Sequence, residues 1–243
     1  MPSKRTRRSQ ALVIRGLIAL AAISPALWPQ EPRRIDAGNP STIEDFRAVD
    51  ASREPYQRAT DLVAALQLSR GDWVADVGVG GGYYSMRLAE LAGAEGRVFA
   101  EDISISGWVN ARAKAFNLHN VEIVKGEADD PKLPADRLAA VLIVDSYHHF
   151  TNYRAMLEKI LHALKPGGRL VIADYSSTEH RNQARADQLK LHEIDPGLAR
   201  AEVEQAGFQV VQYEDPFVKW RTGVGNTRAS ATDLWLMVAV RPK

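Results

Sequence analysis

The chain has 243 residues, 45% of them hydrophobic and 25% charged, the make-up of a soluble globular protein with room for one α/β domain and a short appendage. It holds no cysteine, which excludes disulfides, thiolate zinc sites and cysteine nucleophiles together. The formal net charge is +1, but Lys4, Arg5, Arg7, Arg8 and Arg15 all precede the first acidic residue, Glu31; taking these five from 31 basic residues leaves 26 against 30 acidic ones, and a body of net −4 lacks the basic footprint of a general nucleic-acid binder.

Residues 1–26 have the order of a targeting segment: a basic stretch, a mostly apolar run from Ala11 to Ile23, and small residues at Ser24 and Ala26 that suit cleavage. Thr6-Arg7-Arg8 resembles a twin-arginine signal, although Gln10 and Ala11 stand where a bulky apolar pair is usual. Arg15 interrupts the run, so its continuous length falls short of the ~20 residues that span a bilayer. The segment predicts a signal peptide or an N-terminal anchor, with membrane association through it and a periplasmic or membrane-tethered location. The alternative is a cytoplasmic protein with a frayed extension. Residues 27–50, with a Pro-, Gly- and charge-rich core at Pro29–Pro40, read as a linker. Residues 51–243 read as the folded domain.

In chain order, Ala59, Leu62, Val63 and Leu66 predict a helix from about Glu54 to Leu66. Trp73–Val77 predicts a first strand, Tyr84–Leu91 a helix, Arg97–Ala100 a second strand and Val109–Phe116 a helix. Val121–Val124 and Ala139–Val144 follow as strands. The stretch Tyr153–Leu164 is an amphipathic helix, stopped by Lys165-Pro166-Gly167-Gly168. Leu170–Ala173 is a fifth strand, Leu198–Ala206 a helix ended by Gly207, and Phe208–Tyr213 and Leu234–Val240 the last two strands. Strands alternating with helices predict a Rossmann-like, doubly wound, mostly parallel seven-stranded α/β sheet, with the last strand inserted antiparallel.

The segment richest in chemistry is Asp76-Val77-Gly78-Val79-Gly80-Gly81-Gly82, which leaves a buried strand and enters a helix. Glycines suit a turn that a ligand's atoms approach closely. A dinucleotide site spaces its glycines G-x-G-x-x-G; here the third of those positions is Tyr83, which counts against an NAD(P)-dependent Rossmann oxidoreductase. The second strand ends in Glu101-Asp102, and Asp102 lies 24 residues beyond Gly78, where a carboxylate can accept both hydroxyls of a ribose. Glu101 takes that place if the strand ends one residue earlier.

Together these motifs resemble the class I S-adenosylmethionine (SAM)-dependent methyltransferases. Gly126-Glu127-Ala128-Asp129-Asp130 with Leu133-Pro134, Asp145-Ser146-Tyr147-His148-His149-Phe150, and Leu164-Lys165-Pro166-Gly167-Gly168 resemble that family's segments at the third, fourth and fifth strands. Within it, the sequence is similar to bacterial relatives of the ubiquinone/menaquinone-biosynthesis C-methyltransferases, in a branch that often bears export signals. The resemblance implies SAM as cofactor. Asp76, Gly78, Gly80, Gly82 and Tyr83 would hold its methionine end and Asp102 its ribose. Glu127, Ala128 and Asp129 would meet its adenine, and Asp145 would lie between the methionyl end and the substrate. Gly81 stands where a hydroxyl residue is common.

An oxygen or acidic-carbon acceptor needs its proton removed, and His148, His149 and Asp145 are the titratable groups expected nearby. No metal is expected, because two adjacent histidines without a clear third ligand make a poor zinc signal. His180-Arg181 reads as a solvated loop that could also meet an anionic substrate group, and Phe217, Trp220 and Trp235 as core or lid residues. A small molecule is the expected acceptor. A non-catalytic SAM-binding module remains the alternative, since binding and chemistry are nearly separable in this fold.

Overall fold

In the computed structural model, which describes residues 42–51, 53–219 and 232–243, the apolar segments form one seven-stranded sheet. β1 (Trp73–Val77), β2 (Arg97–Asp102), β3 (Val121–Lys125), β4 (Leu138–Val144), β5 (Leu164–Ser176), β6 (Gln209–Val218) and β7 (Asp233–Val240) lie in the order β3-β2-β1-β4-β5-β7-β6. Strands β1 to β5 pair parallel, and β7 runs antiparallel to both β5 and β6, as the sequence predicts. The order reverses at β1, so the crevice outside the ends of β1 and β4 is the switch point at which such sheets take ligands.

The helices are α1 (Ile43–Asp50), α2 (Glu54–Gln57), α3 (Ala59–Ala65), α4 (Tyr83–Ala92), α5 (Gly107–Ala115), α6 (Tyr153–Ala163), α7 (Arg185–Lys190) and α8 (Pro196–Gln205). Successive strand residues alternate between two apolar layers, as a period of two requires. Val141, Ile143, Leu170 and Ile172 pack with Leu157 and Ile160 of α6 and Val203 of α8. Leu142, Val171 and Ala173 pack with Leu62 of α3 and Leu88 of α4 on the other face. Burial on both faces is why β4 reads as an unbroken apolar run.

Four expectations are corrected. The linker expected over 27–50 gives way to α1 at Ile43–Asp50: Thr42 and Asp45 form a reciprocal capping box, and Phe46 is fully buried, its ring 6.5 Å from that of Trp108. The helix expected from Glu54 to Leu66 is broken at Arg58, whose left-handed φ of 48° ends α2 and starts α3. Its guanidinium binds Asp61 and the Phe217 carbonyl, an anchor that local periodicity does not encode. Lys165-Pro166-Gly167-Gly168 stops α6 at Ala163, and the strand starts before the turn, Leu164 pairing with Leu138. The polar stretch after β5 contains α7, held by Gln188, which donates to the carbonyls of Arg181 and Gln183. Trp235 is core, its Nε1 donating to the Ile194 carbonyl, and Phe217 is buried. Trp220 and the segments expected for targeting lie outside the described residues. No helix among the described residues is long and apolar enough to cross a membrane.

Candidate active site

The glycine loop leaves β1 beside β2 and β4. Gly78, Gly80 and Gly82 all take positive φ, of 78°, 51° and 80°. A Cβ on Gly78 would fall 1.9 Å from Ser146 Oγ, so glycine there lets the segment after β4 reach the loop. A Cβ on Gly80 would meet nothing within 4 Å, so the loop faces open space at that point. The N–H groups of Gly78 and Val79 both donate to the Glu101 carbonyl at 2.9 Å, which fixes the loop on the end of β2. Tyr83 opens α4, the guanidinium groups of Arg53 and Arg87 lie over its ring at 4.9 and 4.8 Å, and its buried hydroxyl has no partner among the described residues.

Three carboxylates converge on this loop. Asp76, almost fully buried, accepts a 2.6 Å bond from the Ser85 hydroxyl. Burial raises its pKa to about 6, with the neighbouring Asp102 charge adding to the rise. Asp102 accepts from the Gly80 N–H at 3.0 Å and the Ser104 N–H at 2.9 Å, so its carboxylate is aimed at the glycine loop. β2 runs through Asp102 and leaves Glu101 in the interior, so Asp102 is the acid at the strand's open end. Glu101 Oε1 is buried without a hydrogen-bond partner among the described residues, under Gly126, where a Cβ would fall 1.8 Å from that oxygen.

Burial, reinforced by the Asp102 charge, pushes the Glu101 carboxyl up to about 8. The folded protein therefore holds a proton that the unfolded glutamate, ionising near 4.5, has released. Stability must fall as pH rises from about 4.5 to about 8. Glu101→Gln, neutral throughout, is expected to remove this slope and to gain roughly 3–4 kcal/mol over the wild type between pH 5 and pH 8. Urea unfolding at the two pH values measures it, and parallel pH trends in the two proteins would contradict the buried-acid reading.

Glu127, Ala128 and Asp129 lie in an exposed turn after β3, closed by a bridge between Glu127 and Asp130. Lys132 Nζ reaches Glu127 Oε1 and Asp130 Oδ2, each at 3.2 Å. The Gly126 N–H donates to the Asp102 carbonyl at 3.1 Å, which sets this turn against the end of β2. The open space at Gly80, the carboxylate of Asp102 and the glycine backbone suit a ribose-bearing ligand, so the residues present fit SAM.

On the other side of Ser146, one 3-10 turn (Tyr147–His149) presents two imidazoles. His148 is buried; its Nδ1 lies 2.9 Å from Asp174 Oδ1, and its backbone N–H donates to Asp174 Oδ2 at 2.9 Å. Its Nε2 lies 3.0 Å from His149 Nε2. Asp145 has a left-handed φ of 53°, a sparsely populated conformation for a non-glycine residue, and its N–H donates to the Ala173 carbonyl. Two residues here escaped the sequence reading. Asp174 sits on β5 as a buried acid inside an apolar strand, and that anomaly was the available signal. His192 follows α7, its ring centroid 5.5 Å from that of His148 and 5.2 Å from that of His149. No local pattern marks it.

His180 and Arg181 are not a solvated loop. Arg181 makes a bidentate pair with Asp215 at 2.6 and 2.8 Å, and His180 Nδ1 lies 3.1 Å from Glu193 Oε2. Both are tied to the fold.

Strand order, the glycine loop and the acid at the end of β2 are those of the Rossmann-like fold shared with SAM-dependent methyltransferases, to which the chain is similar. The family described as "Methyltransferase domain" matches residues 74–168. A ubiquinone/menaquinone biosynthesis C-methyltransferase UbiE of Marinomonas sp. is 30% identical over 112 residues, 45% of each chain. A protein-L-isoaspartate O-methyltransferase of Ignicoccus hospitalis is 33% identical over 113 residues, 46% of this chain and 51% of its own. The chain thus spans about half the length of the curated relatives it matches. The crystal structure of a SAM-dependent methyltransferase from Aquifex aeolicus superposes with a TM-score of 0.63 at 21% identity, covering 80% of this chain and 95% of that one, a likeness of fold.

Proposed function

We propose that this protein transfers a methyl group from SAM to a small-molecule acceptor, at an oxygen or an acidic carbon. The observation that carries the reading is the Asp102 carboxylate, turned onto the Gly80 N–H at the open side of the glycine loop. When bound, SAM supplies a methyl group on a positively charged sulfur, a donor already activated. The chain's part is to align the acceptor, exclude water and deal with the acceptor's proton.

Asp76, Gly78, Gly80, Gly82 and Tyr83 are assigned to the methionyl end, Asp102 to the ribose hydroxyls, and Glu127, Ala128 and Asp129 to the adenine. Asp145 is assigned to the boundary between cofactor and acceptor. The acceptor's proton falls to the imidazoles of His148 and His149, which follow Ser146, the residue packed against Gly78. Asp174 accepts from His148 Nδ1, so in the neutral ring the Nε2 lone pair is the one left for chemistry. A binding module without turnover has no use for that arrangement, which favours the enzyme.

A quinone-like acceptor is supported by the names of the relatives that act in ubiquinone and menaquinone biosynthesis. The basic and apolar segment over residues 1–26 supports action at a membrane or in the periplasm.

The test is calorimetric titration with SAM, followed by turnover of methyl-labelled SAM with a cell extract. Asp102→Ala is expected to weaken SAM binding by roughly 1.5–3 kcal/mol, the loss of charged hydrogen bonds. An unchanged dissociation constant would remove Asp102 from the ribose. Binding of NADH in place of SAM would overturn the reading. Tight SAM binding without labelled product would leave a non-catalytic module.

A further inference from the structure

We propose that His148, His149 and His192 form a binding site for a divalent transition-metal ion of the zinc type, with Asp174 fixing the ring of His148. Three imidazoles from two separate segments, the turn after β4 and the turn after α7, bring one ligand atom each to within 4.8 Å of one another. A tetrahedral site with metal–nitrogen distances of about 2.0–2.1 Å places its nitrogens roughly 3.3 Å apart. The Nε2 atoms of His148 and His149 already stand at 3.0 Å. The rings of His149 and His192 are exposed and can be reached from solvent.

The proton inventory points the same way. A carboxylate only accepts, so Asp174 keeps the proton of neutral His148 on Nδ1 and leaves a lone pair on Nε2. That lone pair faces His149 Nε2 across 3.0 Å. A cation bound there would take the place of the hydrogen bond between the two rings. The Asp174–His148 pair is also the arrangement that orients metal-binding histidines elsewhere: the carboxylate holds the ring and raises the basicity of the nitrogen that binds. Asp174 is fully buried and is held in turn by the backbone N–H groups of His148 and Tyr175. The acid cannot swing away, so the orientation of His148 is built into the sheet.

Three neutral imidazoles suit zinc, copper, iron or nickel rather than magnesium or calcium. Three protein ligands leave a coordination position open, the pattern of catalytic rather than structural zinc sites. Ser146, the residue before the turn that carries His148 and His149, packs against Gly78, which puts the site next to the glycine loop. The open position would take an oxygen of the acceptor; the cation lowers that oxygen's proton affinity so that its proton passes to solvent water, the imidazoles then serving as ligands in place of the base role given to His148 and His149 above. This consequence rests on the methyl-transfer reading, whereas the metal site itself does not. The acceptor class it favours bears a hydroxyl, enol or phenol oxygen next to the atom that receives the methyl group.

The test uses the full chain with any affinity tag removed, stripped with EDTA and dialysed against Zn(II) or Co(II). Metal is counted by mass spectrometry, and the cobalt form is read by its visible d–d bands. One equivalent is expected, with cobalt bands of tetrahedral intensity. His192→Ala, on an exposed turn, is expected to weaken binding more than 100-fold, beyond the ~10–100-fold typical of losing an outer-shell partner. Asp174→Asn is expected to keep the stoichiometry and to lose roughly 10–100-fold in affinity. Circular dichroism establishes that each variant is folded. Equal uptake by wild type and His192→Ala, or none by either, would overturn the site and leave a hydrogen-bonded imidazole pair. SAM titration of the stripped protein is the independent arm: SAM binding without metal uptake sinks this proposal alone, and metal uptake without SAM binding sinks the methyl-transfer reading alone.

Discussion

Asp50→Ala is expected to lower the unfolding free energy by about 3–5 kcal/mol, the cost of leaving a buried charge without its partner. The side chain of Arg112 is 3% exposed and makes a bidentate pair with Asp50, one of its two bonds at 3.1 Å. Its Nε also donates to the Gly81 carbonyl at 3.0 Å, and its guanidinium stacks 4.4 Å above the Phe46 ring. One cation therefore joins α1, α5 and the glycine loop. Without Asp50, the positive charge stays in a site built to exclude water. Urea unfolding of the two proteins measures the loss, and a value below about 1 kcal/mol would mean that water or another acid replaces Asp50 at low cost. The double replacement Asp50→Leu with Arg112→Met is expected to recover most of the stability, since apolar residues of similar size are often no worse than a buried ion pair. It would still free the Gly81 carbonyl, so weaker SAM binding in a stable protein is the signature of the loop contact.

Gly78→Ala is expected to cost about 2–5 kcal/mol of stability and to abolish measurable SAM binding. Two effects add. A φ of 78° costs an L-residue roughly 1–2 kcal/mol. The new methyl group would also stand 1.9 Å from Ser146 Oγ and 2.5 Å from Ser146 Cβ, and overpacking of that kind costs about 1–3 kcal/mol. The collision involves Cβ, so no rotation of the Ser146 side chain relieves it. Ser146→Gly in the Gly78→Ala background removes the steric part and leaves the backbone part. Partial recovery in a double-mutant cycle is therefore the expected result. Additive losses would show that the loop and the segment after β4 do not touch. In the proposed function the two segments are assigned to the cofactor and acceptor sides, so their contact would set the spacing between donor and acceptor.

The parts of the site legible in the sequence are those whose geometry is local. A strand, a glycine turn and a helix occupy one continuous stretch, and Asp102 ends the adjacent strand of the same βαβ unit. The strand edges moved by a few residues, as at β5, because pairing with β4 and β7 continues past the apolar stretch that marks the strand. Helix α1 was hidden because its eight residues bury a single large side chain, Phe46, and one buried residue makes no periodicity. Helix α7 was hidden for the same reason: among its side chains only Gln188 is buried, and its role is to bind backbone carbonyls.

The order of apolar and polar residues along the chain determined the layered sheet, its parallel core and the turn at Gly78, because each follows from a period or from one residue's steric freedom. Which distant side chains would meet was decided by the folded sheet alone. Asp174 comes to His148, His192 to both imidazoles, and Asp50 to Arg112. Each of these contacts joins segments whose spacing in the chain carries no information about their separation in space. Their energies come from shared burial, which exists only once the layers have closed.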